Sequence, residues 1–365
     1  MGEILCAGVT HYPPFSYPDA HMADLLRRNL QSGRIPAEQA DPRRWPEPMQ
    51  REWGADGERV AATAAAHRER VIGAFRRVRA AIDAFQPDAI LIWGDDQYEN
   101  FQEDLIPPFC IYLDATFDTQ GHARGAYYSL EDPPNVWGEP RDKTFPVRGH
   151  PAAARYLARR LLEADFAIPY AYKPLHHPGL AHAFMNTLFF LDYDRQGFDY
   201  PIIPFHVNCY GSSIVRTRGR TTLDSRDEGE PDPPAPSPRL CFEIGAATAR
   251  IFRDSPWRVV LMGSSSWSHA SLTAKHHYLY PDVEADRRRY EDLRAGRVAH
   301  WKDLKLADIE AAGQHEFLNW LPLAGAIAGL DYAIEVLDYS ESYIFNSSKC
   351  ALLAGPRTPS GQAAS

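Results

Sequence analysis

No apolar run in the chain approaches the ~18 residues of a membrane-spanning helix. The amino terminus, MGEILCAGVTHYPPF, carries Glu3 and no basic segment ahead of a long apolar one. Neither a membrane anchor nor a signal peptide is therefore expected, and the sequence reads as cytoplasmic. Cysteine is scarce: Cys6, Cys110, Cys209, Cys241 and Cys350 are odd in number, far apart, and form no C-x-x-C pair. That argues against a disulfide framework or a zinc knuckle. Positive charge is also short, with 39 Lys+Arg against 48 Asp+Glu and a net charge of −9. Nucleic acid and anionic membrane surfaces, which need clustered positive charge, are not expected partners. No internal repeat of fixed period is visible, and no G-x-S-x-G elbow supports a serine hydrolase.

What is present is a chain of 365 residues, 44% hydrophobic and 24% charged, long enough to bury a large core without staples. Histidine and proline are plentiful, at 14 and 30 residues. Histidine is the commonest metal ligand and general base, so its positions matter most. Short apolar runs at 3–10, 88–93, 201–207 and 257–263 predict buried strands, and 166–172 predicts another. Residues 56–85 place Val60, Ala64, Val71, Phe75, Val78 and Ile82 at helical spacing, which predicts a long amphipathic helix. Further helices are expected over 151–163 and within 306–338, and 33–50 reads as surface loop. Strands alternating with helices predict an α/β fold with a central, mostly parallel sheet flanked by helices. A single domain over 1–354 is expected, with loop insertions near 30–55, 115–150 and 225–238 and a disordered tail at 355–365.

In open α/β sheets, sites gather beyond the carboxyl ends of the strands. Four predicted strand ends deliver polar groups: His11, then Gly94-Asp95-Asp96-Gln97, then Asn208, then Ser264-Ser265-Ser266-Trp267-Ser268-His269. A further cluster, His176, His177 and His182, lies in PLHHPGLAHAF. Glu316 falls in a stretch with Phe317, Leu318, Trp320 and Leu321, where a buried carboxylate must be paired, protonated or bound to metal. The polar neighbours Gln314, His315 and Asn319 equally fit a helix-surface Glu.

Taken in order, these clusters resemble the class III extradiol ring-cleaving dioxygenases, the superfamily of the catalytic β-subunit of protocatechuate 4,5-dioxygenase. The resembling segments are Thr10-His11-Tyr12-Pro13, Gly94 to Phe101 followed by Pro107-Pro108-Phe109-Cys110-Ile111, a loose match at Ala181-His182-Ala183, Gly263 to His269, and Gly313 to Trp320. The resemblance implies a mononuclear non-haem Fe(II), with Mn or Zn as alternatives, on a His-His-carboxylate face that leaves room for substrate and O₂. Carried over by position, His11, Gln97 and Glu316 are the metal positions. Gln97 stands where the family has its second histidine, with Asp95 or Asp96 as alternative donors. His269 is the implied base and His182 the second active-site histidine, with His177 as the alternative occupant; Ala181 replaces the Asp that precedes that histidine in the family. The implied activity is extradiol-type cleavage of a small catecholic or related aromatic compound with O₂, and the implied assembly a homo-oligomer. Alternatives are a metal-dependent hydrolase or lyase on the same scaffold, or a non-catalytic partner subunit.

Overall fold

The computed structural model describes residues 1–123, 131, 133–212, 218 and 230–357. Residues 358–365 of the expected 355–365 tail and 225–229 of the expected 225–238 loop lie outside these residues, whereas Gly355 and Pro356 end the last strand. Ten strands occur among the described residues: β1 (Glu3–Val9), β2 (Ala89–Gly94), β3 (Phe109–Tyr112), β4 (Thr116–Thr119), β5 (Phe145–Arg148), β6 (Tyr170–Ala171), β7 (Ile202–Val207), β8 (Arg258–Ser264), β9 (Tyr332–Ser340) and β10 (Lys349–Pro356). The α-helices are α1 (Asp24–Gln31), α2 (Ala37–Ala40), α3 (Glu47–Trp53), α4 (Val60–Phe85), α5 (Pro151–Glu163), α6 (His182–Leu191), α7 (Pro238–Arg253), α8 (Val283–Arg294), α9 (Leu306–Ala311) and α10 (Trp320–Leu330).

Eight strands form one sheet in the order β6-β3-β7-β2-β8-β1-β10-β9, and β4 and β5 form a separate hairpin. The central four, β7-β2-β8-β1, are mutually parallel. Antiparallel strands extend the sheet at both sides, β3 beside β7 and β10 beside β1. This is the α/β fold with a mostly parallel centre. Each central strand is apolar on both faces, because helices cover both. On β2, Ala89, Leu91 and Trp93 face one core with α5, α7 and α10, while Ile90 and Ile92 face the other with α4 and α6. All six apolar positions read along α4 are buried in that second core. Gln86 ends the helix in the left-handed conformation at φ 50°, and Pro87 prevents its continuation.

One close approach fixes the site. Gly8 of β1 and Gly263 of β8 are in register. A Cβ on Gly8 would come within 2.6 Å of the Trp320 ring. The missing side chain lets the start of α10, and the turn before it, press onto the strand ends.

Three expectations need correction. The segment 306–338 is not one helical stretch. Asp331 adopts φ 54° and stops α10, and from Tyr332 the chain runs as the sheet-edge strand β9, with exposure alternating over Tyr332–Val336. Residues 33–50 are not bare loop: they hold α2 and the start of α3, and bury Ile35, Trp45 and Met49 in the α4 core. Within 166–172 only Tyr170 and Ala171 pair as strand.

Candidate metal centre

The parallel centre puts the carboxyl ends of β1, β2, β7 and β8 on one edge, and four polar segments leave from there. His11 follows β1 and is buried. Its Nδ1 lies 3.0 Å from the Ser264 carbonyl oxygen, which only accepts, so Nδ1 carries a proton and Nε2 is the atom that faces the carboxylates; burial works to lower the ring's pKa, but Glu316 and Asp95 outweigh it and raise it. No protein group hydrogen-bonds to Nε2, although it is buried. Asp95 follows β2 and is fully buried. Its Oδ1 accepts from the Asn319 amide at 2.8 Å, whereas its Oδ2 is buried without a hydrogen-bond partner. Glu316 sits on a 3-10 turn, His315–Asn319, ahead of α10 rather than inside a helix. It is buried, which decides against the helix-surface reading. His11 Nε2 is 3.4 Å from Glu316 Oε2 and 3.6 Å from Asp95 Oδ1. Potential ligand atoms of His11, Asp95 and Glu316 all lie within 4.8 Å of one another.

The electrostatics follow from two buried carboxylates flanking imidazoles. Burial pushes Asp95 up, the Glu316 charge adds to it, and its pKa reaches about 7. Burial also works to raise Glu316, but His269, His11 and His182 outweigh it and hold the carboxyl down at about 2. A cation placed among these groups would satisfy both orphaned buried atoms, His11 Nε2 and Asp95 Oδ2. The donors present therefore fit a divalent metal.

Gln97 reaches the same centre. Its Nε2 donates to Glu316 Oε1 at 2.6 Å. His269 lies against the same Glu316 oxygen: its Nδ1 is 3.0 Å from the Trp267 carbonyl and its Nε2 is 3.3 Å from Glu316 Oε1. Burial lowers its pKa, which favours the neutral ring with a lone pair on Nε2. His182 opens α6 and stands edge-on to His11, with ring centroids 5.2 Å apart. His11, Gln97, His182, His269 and Glu316 thus come together. His177 is half-buried on the loop before α6, where its backbone N–H donates to Asn100 Oδ1 at 3.1 Å. Among the described contacts of the centre, His182 rather than His177 adjoins His11. Asp96, the other alternative donor, turns away to accept backbone N–H groups of its own loop.

Sequence reasoning missed Glu99, buried, with Oε2 2.8 Å from His182 Nδ1. It also missed Asn319, which holds Asp95. The signal for Glu99 was its place in an acidic loop bracketed by apolar strands.

No family model matches the chain. Among curated proteins it is 28% identical over 240 residues to a 2,3-dihydroxyphenylpropionate/2,3-dihydroxicinnamic acid 1,2-dioxygenase of Comamonas testosteroni, covering 66% of this chain and 60% of that protein. A protein of the same name from Rhodococcus rhodochrous is 28% identical over 258 residues, 68% of this chain and 65% of the relative. A Pseudomonas putida enzyme so named is 27% identical over 195 residues, 53% of this chain and 47% of that protein. The chain thus spans between about half and two thirds of the length of these relatives. A solved structure of an uncharacterised Escherichia coli K12 protein is similar with a TM-score of 0.47 and 14% identity, covering 78% of this chain and 92% of that one. By sequence, the chain is similar to several curated proteins named as 2,3-dihydroxyphenylpropionate/2,3-dihydroxicinnamic acid 1,2-dioxygenases, in keeping with the resemblance to class III extradiol dioxygenases.

Proposed function

We propose that the chain is an extradiol-type dioxygenase that opens the ring of a small catecholic or related aromatic compound with O₂ at a mononuclear metal. The observation that carries this is the buried cluster of His11, Asp95 and Glu316 at the strand ends, whose ligand atoms lie within 4.8 Å of one another and in which His11 Nε2 and Asp95 Oδ2 have no hydrogen-bond partner. The names of the similar proteins supply the reaction class. His11, Glu316 and Asp95 would hold the metal, with Gln97 hydrogen-bonded to Glu316 Oε1. Fe(II) fits the reaction class; the oxygen-rich donor set also suits Mn(II). When bound, the metal would supply a Lewis acid for the diol and an electron route to O₂.

The remaining chemistry belongs to the side chains. Ser264 fixes the His11 tautomer, and Asn319 fixes Asp95. A catechol must lose a proton to chelate, and His269 Nε2, neutral by burial, is a base within the centre. His182 is a second proton-handling group beside His11. Walls formed by buried residues keep bulk water from these groups, which strengthens each electrostatic contact.

The test is anaerobic loading with Fe(II), followed by addition of O₂ and a panel of catechols and aminophenols that includes 2,3-dihydroxyphenylpropionate. Oxygen uptake with a ring-opened, coloured semialdehyde-type product is expected. No uptake with any member at full Fe(II) occupancy would count decisively against the proposal. The presence of Gln97 where the resembling family has histidine favours one second reading, a metal-dependent hydrolase or lyase. Tightly held zinc together with indifference to O₂ would select it.

A further inference from the structure

The loop after β2 carries another carboxylate toward the centre. Glu99 is 4% exposed and grips His182 at two points. Oε1 accepts the His182 backbone N–H at 2.9 Å, and Oε2 lies 2.8 Å from the ring Nδ1. His182 is the first residue of α6, so its N–H has no partner within the helix, and a carboxylate suits the positive end of the helix dipole. Glu99 is itself held in place: its backbone N–H donates to Asp96 Oδ1 at 2.8 Å, and the Gln97 N–H lies 3.4 Å from Oε2. Asn100 ties the same loop to the segment before α6, with its amide 3.1 Å from the Gly179 carbonyl. The His182 ring, edge-on to His11 with an interplanar angle of 87°, borders the metal donors.

We propose that Glu99 is a positioning residue that fixes the tautomer of His182. A carboxylate offers only acceptors, so the ring proton sits on Nδ1 and Nε2 is left as the atom that exchanges protons. The backbone contact sets the ring's place and the side-chain contact sets its proton. What His182 acts on rests on the ring-cleavage reading above; the tautomer does not.

Glu99→Gln separates the two contacts. The amide oxygen can still accept the backbone N–H, which leaves the NH₂ facing Nδ1 as a donor and makes Nε2–H the neutral tautomer. In the full-length metal-free protein with ¹⁵N-labelled histidine, long-range ¹H–¹⁵N correlations read the tautomer directly. The His182 signal is identified by its loss in His182→Asn. Nδ1–H is expected in the natural protein and in Glu99→Asp, and Nε2–H in Glu99→Gln. With Fe(II) and a catechol, Glu99→Gln should lower kcat about 10²–10⁴-fold, with KM and metal affinity little changed and partial recovery in Glu99→Asp. An Nε2–H tautomer in the natural protein, or an unchanged tautomer in Glu99→Gln, overturns the proposal even if one variant folds poorly. If no catechol supports O₂ uptake, the ring-cleavage reading fails and the tautomer alone decides the role of Glu99.

Discussion

Asp95 and Asp96 are neighbours in sequence, both buried, and they do opposite things. Asp96 is spent on its own loop. Its Oδ1 accepts from the Glu99 N–H at 2.8 Å and lies 2.8 Å from the Tyr210 hydroxyl, and its Oδ2 accepts from the Asn100 N–H at 2.9 Å. Asp95 has one oxygen held by Asn319 and the other with no hydrogen-bond partner. Because side chains alternate at a strand exit, one residue of offset sends the first carboxylate to the donor cluster and the second into the loop that shapes it. A saturated buried carboxylate stabilises its surroundings. An unsaturated one destabilises them until a cation arrives.

The difference can be broken from either side. Asp95→Asn keeps an oxygen for Asn319 and removes the charge. Metal affinity should fall by about 100-fold or more, the upper end of what loss of a supporting group costs, because Asp95 is proposed as a direct ligand. Thermal stability of the metal-free protein should hold or rise, since an uncompensated buried carboxylate is gone. Titration calorimetry with Mn(II) and a melting curve read both; retained affinity would remove Asp95 from the donor set. Asp96→Ala should behave inversely. Backbone donors of residues 99 and 100 and the Tyr210 hydroxyl lose their acceptor, at a cost of about 2 kcal/mol. That corresponds to a fall of about 3 °C in Tm for a chain of this length, with metal affinity reduced only as far as the loop loosens. If Asp96→Ala left Tm unchanged, the division of labour between the two aspartates would be wrong.

Much of this layout was legible in the sequence. The four strand exits could be read because buried parallel strands leave continuous apolar runs, and His11, Asp95, Gln97 and His269 follow them directly. Glu316 could be found because a lone acid among Phe317, Leu318, Trp320 and Leu321 stands out. The partners were not legible. Ser264 holding His11, Asn319 holding Asp95 and Glu99 holding His182 are contacts between segments 253, 224 and 83 residues apart, and each partner's residue type is ordinary for a loop. The β9–β10 hairpin was hidden for a different reason. The Ala- and Leu-rich sequence before β9 continues smoothly in composition, and only the left-handed Asp331 marks the change.

Gln97 tests the comparison at the next position. Its amide now occupies Glu316 Oε1. Gln97→His places an imidazole there, which both releases that oxygen and adds a donor. Metal affinity should rise about 10-fold, equivalent to about 1.4 kcal/mol, measured against the same Mn(II) titration. A double variant, Asp95→Asn with Gln97→His, should recover part of the affinity lost in Asp95→Asn if the two positions compete for one coordination site. No recovery would mean that position 97 does not face the metal.

Asp286 supplies the smallest and cleanest contrast, because burial pushes it up to about 7, as it does Asp95. Its Oδ1 accepts the Ser268 N–H at 3.0 Å and the Gln314 amide at 2.7 Å, which braces the segments carrying His269 and Glu316. The folded pKa lies above the unfolded value of 3.8, so the folded state holds its proton longer. Stability is greatest at low pH with respect to this group, declines as pH rises from about 4, and levels above about 7. Asp286→Asn abolishes that titration while keeping the oxygen acceptor. Between pH 5 and 6 the natural protein should lose about 1 kcal/mol more stability than the variant, read from urea melts at each pH. Adding Mn(II) should leave this difference in place, while it removes the corresponding dependence on Asp95 by pairing that carboxylate with a cation. If the metal erased both, Asp286 would belong to the same titrating unit as the centre, and the two buried aspartates could not be told apart by charge.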